Sequence, residues 1–198
     1  MPSEEIIETC DFNNPDGFGI AYTDGNNVVI NKGAMKISAI YNIIDSIKNP
    51  VDKAIIFHFR IATSGFINKS NCHPFPITDN ESELCKLQTN TKCAIAHNGV
   101  IFDLSNIKNS YYYYGAYDYP LGYQEDKHTG LSDTQRFILE YLAPMGKAMF
   151  NKGVMSLIQA YSDSKFAILR PNKINLIGDF IKDNGLFFSN KDYKEFRL

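Results

Sequence analysis

A surplus of positive charge is missing from this 198-residue sequence: 20 Lys and Arg stand against 22 Asp and Glu, for a formal net charge of −2 and a pI near 6.1. That balance gives no electrostatic attraction for nucleic acid or an anionic membrane. Also missing is any apolar run near the ~20 residues that span a bilayer. The opening MPSEEIIETC is acidic, where a signal peptide is basic and then apolar. These absences predict a cytoplasmic protein with neither membrane nor nucleic acid among its partners. There is no Gly-rich phosphate loop, and no CxxC pair. Cys10, Cys72, Cys85 and Cys93 fit neither a zinc ribbon nor a compact disulfide framework, so reduced, mostly buried thiols are expected. A metal set of Cys72, His73, Cys93 and His97 stays open although no spacing favours it; no metal or cofactor is expected.

What is present is ordinary globular composition, 44% hydrophobic and 21% charged, enough for a single domain over residues 1–198 with its own core. Ser3 to Asp11 reads as a helix capped by Ser3, with Glu4 and Glu5 at its positive end, broken by Pro15 and Gly17. A hairpin around Asp24-Gly25 follows. Ile37, Ile40, Ile44 and Ile47 then keep the spacing of one helical face within Met35 to Ile47. In IIFHFRIATSG, Ile55 to Gly65, alternation places Ile56, His58 and Arg60 on one face of a central strand, and Ile55, Phe57, Phe59 and Ile61 on the other. CAIAHNGVIFD reads as a second hairpin, with Asn98-Gly99 as its turn between Ala94–Ala96 and Val100–Phe102. The tyrosine-rich stretch 110–124 shows no periodicity and reads as a long loop or lid. Ser132 and Asp133 start a helix, a further helix lies near Lys147 to Tyr161, and KFAILRP, INLIGDF and GLFFSN read as strands. Antiparallel strand groups with helices between them make the class α+β.

An arginine on an otherwise buried strand must be paired or solvated. Its fork can hold a carboxylate bidentately, and Asp133 at a helix start can accept from an ammonium group. One fixed cation and one fixed anion suit a free α-amino acid. The Asn98 side-chain amide and the Gly99 N–H can point at one oxygen as an oxyanion hole does, and His73 can add a contact at the rim. Each feature also has a plain structural reading. Arg60 can pair with a carboxylate such as Asp16, Asp133 can be a helix-start charge, Asn-Gly can be a turn, and His58 and His97 can be satisfied core histidines.

The order NPDGFG, HFRIATSG, NCHPF, AHNG, SDT resembles the class II glutamine amidotransferase domain, the glutaminase module of the N-terminal nucleophile hydrolases. The likeness runs from about Asn14 to Ser189, with GLFFSN like the closing strand. It implies a four-layer αββα sandwich of two antiparallel sheets between helix layers, and hydrolysis of the side-chain amide of L-glutamine to supply ammonia to a separate synthase subunit. On that resemblance Arg60 would bind the α-carboxylate, with Thr63 and His73 near it. Asp133 would bind the α-ammonium, Asn98 and Gly99 would form the oxyanion hole, and Asp16-Gly17 would be a structural turn. Where an aromatic residue often follows the arginine and a histidine the threonine, this chain has Ile61 and Ser64.

The family's nucleophile is the thiolate of an amino-terminal cysteine whose own α-amine is the base. This sequence begins Met1-Pro2, and Cys10 sits inside the first expected helix. The sequence as given is therefore expected to be inactive as a glutaminase. Three alternatives follow: a start upstream that supplies a first strand and the cysteine, a strand supplied by another polypeptide, or a catalytically inactive binding or interaction module on the same fold.

Overall fold

The computed structural model describes residues 1–101, 130–171 and 173–196. The tyrosine-rich stretch 110–124 lies outside the described residues. Helix α1 (Glu4–Asn13) starts as its sequence dictates, with Ser3 Oγ accepting from the Ile6 N–H at 3.3 Å. Strands β1 (Phe18–Asp24) and β2 (Asn27–Ala34) form a hairpin whose two turn residues are Gly25 and Asn26, one position beyond the expected pair. Helix α2 spans Ile37–Asp45. Strand β3 (Ile55–Phe59) pairs with β1, and β5 (Gln88–Thr91) pairs with β2, giving a four-stranded antiparallel sheet in the order β3-β1-β2-β5. Thus β3 is an edge strand among the described residues, not the central strand expected, and Arg60 lies one residue past its end.

A second antiparallel sheet has the order β4-β6-β7-β8, from Phe75–Pro76, Ala94–Asn98, Lys165–Arg170 and Lys173–Ile177. This order corrects the expected hairpin at Asn98-Gly99. Both edges of β6 are already taken, by β4 and β7, so no returning strand can pair there. Instead the Ile101 N–H donates to Asp133 Oδ2 at 2.8 Å. A two-stranded ladder joins β9 (Ile181–Asp183) to β10 (Leu186–Phe188). Its turn, Asn184-Gly185, has positive φ at both residues, 47° and 79°, as a type I′ hairpin requires.

Short helix α3 (Glu81–Leu84) precedes β5. Helix α4 (Asp133–Phe137) begins with a capping box between Ser132 and Gln135 and runs on through a wider turn over Ile138–Leu142. Helix α5 (Lys152–Ser162) is capped by Asn151.

The β3 alternation holds for Ile55 to Phe59, whereas Ile61, read on the apolar face, lies past the strand end and is exposed. Ile56 joins Ala21, Val28, Ile30, Ala94, Ala96 and Leu169 in a cluster built from both sheets. Ile55, Phe57 and Phe59 pack on the opposite side with Phe18, Ile20, Ile7 and Ile40, so that side is closed by α1 and α2. Phe75, Ile95, Phe166 and Ile168 pack with Phe137, Ile138, Leu142 and Ile158 of the α4 and α5 segments. The architecture is α+β, and the helix-facing clusters leave the ends of the sheets as the place where polar groups meet.

Candidate functional site

At the end of β3 and β6 a cavity of about 230 Å³ is lined by all six residues singled out from the sequence: Arg60, Thr63, His73, Asn98, Gly99 and Asp133. The strand ends explain part of the gathering. His58 Nε2 lies 2.9 Å from the His97 carbonyl, one residue before β3 and β6 end at Phe59 and Asn98, so the chain exits both strands at one end. The N-terminus of α4 joins them through the contact of Asp133 with Ile101.

Arg60 is 3% exposed. Its Nη1 donates to the Phe66 carbonyl at 3.2 Å and its Nη2 to the Ser64 carbonyl at 2.8 Å. Among the described residues it joins no ion pair, and the structural pairing with Asp16 is not made. Asp16 Oδ2 instead accepts the Ala62 N–H at 2.7 Å, while the backbones of Asp16 and Gly17 bond that of Arg60 at 2.9 and 2.8 Å. The Asp16-Gly17 turn therefore holds the Arg60–Ala62 backbone in place. Burial pulls the guanidinium below its ordinary value, and Cys72, Asp16 and Asp133 act in the opposite sense.

Asp133 is held by its own helix start. Its Oδ1 accepts the Thr134 N–H at 2.8 Å and the Thr134 hydroxyl at 3.3 Å, and its N–H donates to Ser64 Oγ at 3.0 Å. Ser64 thus anchors the Asp133 backbone at the helix start; Ile61 is 53% exposed at the cavity wall. Gly99 follows directly on the β6 ladder, which ends at Asn98. A Cβ on Gly99 would sit 2.2 Å from Ser164 Oγ, and its φ of +141° excludes most side chains.

Beneath the cavity lies a network that sequence reasoning left in pieces. His58 Nε2 contacts the His97 carbonyl at 2.9 Å; a carbonyl only accepts, so Nε2 carries the proton. Thr134 Oγ1 contacts His73 Nε2 at 3.1 Å, His97 Nδ1 at 2.8 Å and Asp133 Oδ1 at 3.3 Å. A hydroxyl has one hydrogen and two lone pairs. All three contacts are satisfied together when Thr134 donates to Asp133 and both imidazoles donate to Thr134. The nitrogens left over, His58 Nδ1, His73 Nδ1 and His97 Nε2, are buried and find no partner among the described residues. Burial pushes His58 and His97 down to about 4, and His73 well below its ordinary value, so all three rings are neutral near pH 7. His73 is 6% exposed, at the floor of the cavity and not at its rim.

Sequence reasoning missed Asn190 and Asp192, which the C-terminal segment brings to the cavity wall with Asn14. The tie is Asn13, whose side-chain amide donates to the carbonyls of Asp192 and Glu195 at 2.6 and 2.7 Å. It also missed Lys32, 2% exposed. No group of His, Cys, Asp and Glu suited to a metal ion occurs among the described residues, so Cys72, His73, Cys93 and His97 are not assembled as a ligand set. All four cysteines are free; Cys72 is buried, Cys10 and Cys93 are half-buried and Cys85 is exposed, so the thiols are less uniformly buried than expected. Cys10 lies within α1, and burial with neighbouring Asp192 and Asp11 pushes its thiol up to about 12. No helix among the described residues is long and apolar enough to cross a membrane. Comparison with family models and with curated proteins gives no match.

Proposed function

We propose that this chain is a glutamine-binding domain of the class II glutamine amidotransferase kind, folded as a four-layer αββα sandwich with L-glutamine as its ligand. The observation that carries the reading is the meeting of Arg60, Thr63, His73, Asn98, Gly99 and Asp133 around one cavity of about 230 Å³. That volume is below the roughly 300 Å³ at which drug-sized pockets begin, and suits a free amino acid.

The chemistry of the donors is compatible with it. Arg60 has given two of its five N–H groups to backbone carbonyls, which leaves three for the α-carboxylate. Asp133 has about four acceptor positions, and the Ile101 and Thr134 contacts use three of them, leaving one for the α-ammonium. Asn98 Nδ2 and the Gly99 N–H would receive the negative charge that develops on the side-chain carbonyl oxygen during attack. Hydrolysis needs the thiolate of an amino-terminal cysteine: sulfur bonds to the amide carbon, ammonia leaves with a proton from the α-amine, and water then releases glutamate from the thioester. The ammonia would pass to a separate synthase subunit.

One observation favours a second reading, a binding or interaction module on the same fold that performs no hydrolysis. The Cys10 and Cys93 thiols are pushed up to about 12 and that of Cys72 is raised, in each case chiefly by burial, the reverse of an activated nucleophile.

Calorimetric titration with L-glutamine tests the ligand assignment common to both. Saturable binding that weakens by about tenfold or more in Arg60→Lys is expected, because a point charge loses the bidentate fork. No heat at millimolar glutamine, or equal affinity in the variant, would make Arg60 a structural residue.

A further inference from the structure

The end of the sheets away from this cavity carries charge that the glutamine reading does not use. Since β1 starts beside Phe59 and β6 ends beside Lys165, the β1–β2 turn, Lys92 and Arg170 all fall at the opposite end. There Asn26, Lys92, Arg170, Pro171 and Lys173 line a second, more open cleft of about 550 Å³. Three of its five lining residues are cationic and none is acidic, in a chain whose net charge is −2. None of the three cations joins an ion pair found among the described residues.

Two of these cations are held in place without being neutralised. Lys92 Nζ donates to the Asn26 carbonyl at 2.7 Å and to Asn27 Oδ1 at 2.8 Å, which leaves one of its three N–H groups. The Arg170 guanidinium lies 3.8 Å from the centroid of the Phe150 ring and gives Nη2 to Asn175 Oδ1 at 3.0 Å. Arg170 Nε is buried and finds no hydrogen-bond partner among the described residues. Lys173, the cross-strand partner of Arg170 in the β7–β8 hairpin, is exposed. Cations fixed by carbonyls and a ring, with donors to spare, form a receptor for an anion that carries several acceptor oxygens. An extended polyanion would need a basic stripe that this chain lacks.

We propose that this cleft binds a phosphate group, either inorganic phosphate or a small phosphate ester, between Lys92, Arg170 and Lys173. Amide and Arg Nε NMR signals of the isotope-labelled chain are followed while inorganic phosphate, and separately glycerol 3-phosphate, is added at constant ionic strength. Saturable shifts confined to the turns bearing Asn26, Lys92, Arg170 and Lys173 are expected, including the Arg170 Nε–H. Tighter binding of the ester identifies an organic phosphate as the ligand and equal binding identifies free phosphate; both support the site. The variants Lys92→Gln and Lys173→Gln change exposed residues, so the fold is kept, and together they should weaken binding by about tenfold or more. Shifts that never saturate, that chloride reproduces, or that survive both substitutions would overturn the proposal. The site does not depend on the glutamine cavity: the same variants should leave glutamine titrations unchanged, and a chain that fails to bind glutamine still tests the cleft.

Discussion

Replacing Lys32 by methionine should flatten the dependence of stability on pH between 7 and 9. Lys32 lies on β2 with 2% of its surface exposed. Its Nζ donates to the Ser70 carbonyl at 2.8 Å and the Leu84 carbonyl at 2.9 Å, and sits 3.9 Å from the centroid of the Phe75 ring. Among the described residues no carboxylate forms an ion pair with it. Burial, reinforced by the Arg60 charge and opposed by Cys72 and Cys85, pushes the ammonium from 10.5 down to about 7. Between those values the unfolded chain binds a proton that the folded chain does not, so stability rises with pH across that window and the penalty is fully present below it. One pKa unit corresponds to about 1.36 kcal/mol. Since Lys32 is half protonated near pH 7, the gain from pH 7 to pH 9 is about 2 kcal/mol. Lys32→Met keeps the length of the side chain but leaves two carbonyls without their donor, at a cost of about 1–3 kcal/mol each. Urea unfolding of both proteins at pH 6, 7, 8 and 9 reads the difference directly. The advantage of the wild type should widen by about 2 kcal/mol from pH 7 to 9. Parallel profiles would mean that Lys32 titrates at its ordinary value, and would refute the argument from burial.

Two further outcomes follow from the cavity. Nitrogen NMR of the imidazoles should find His58 and His73 protonated at Nε2 and His97 at Nδ1. Thr134→Val should alter the His97 signal and Thr134→Ser should restore it, whereas His97 protonated at Nε2 in the wild type would break the hydrogen-bond assignment. Gly99→Ala would force a Cβ to within 2.2 Å of Ser164 Oγ at a φ of +141°. It should cost ~1–3 kcal/mol and lower Tm by roughly 2–4 °C per kcal/mol; an unchanged Tm would show that the backbone there is not constrained as described.

What the sequence revealed of the fold depended on how local the cause was. The alternation in Ile55–Phe59 needs only the period of a strand, and it correctly divided Ile56 from Ile55, Phe57 and Phe59. The Ser3 and Ser132 caps are equally local. The dipeptide Asn-Gly shows where local reading stops. At 184–185 both residues take positive φ and close a hairpin that was not anticipated; at 98–99 Asn98 does not take positive φ, and β7 occupies the edge a hairpin would need. Lys32 was not singled out from the sequence, because the carbonyls that accept from it belong to Ser70 and Leu84, far along the chain. The six residues of the candidate site were legible through the order of their motifs. Asn190 and Asp192 were not, since their arrival depends on the Asn13 amide capturing the C-terminal backbone.

The question of why a buried strand should run into an arginine can now be put in electrostatic terms. A purely structural Arg60 would lower its energy most by closing with Asp16, since a buried charge is stabilised chiefly by a partner of opposite sign. Both carboxylates near it are instead committed to backbone N–H groups, Asp16 to Ala62 and Asp133 to Ile101 and Thr134. Arg60 is committed to neutral carbonyls. The three neutral histidines add no charge to the cavity floor at pH 7. The result is a fixed cation, Arg60, and a fixed anion, Asp133, kept apart on the wall of one open volume that Asp16 does not line. On the glutamine-binding reading proposed above, that separation would suit the two charged groups of an amino acid, while Asp16 is spent on the Ala62 N–H.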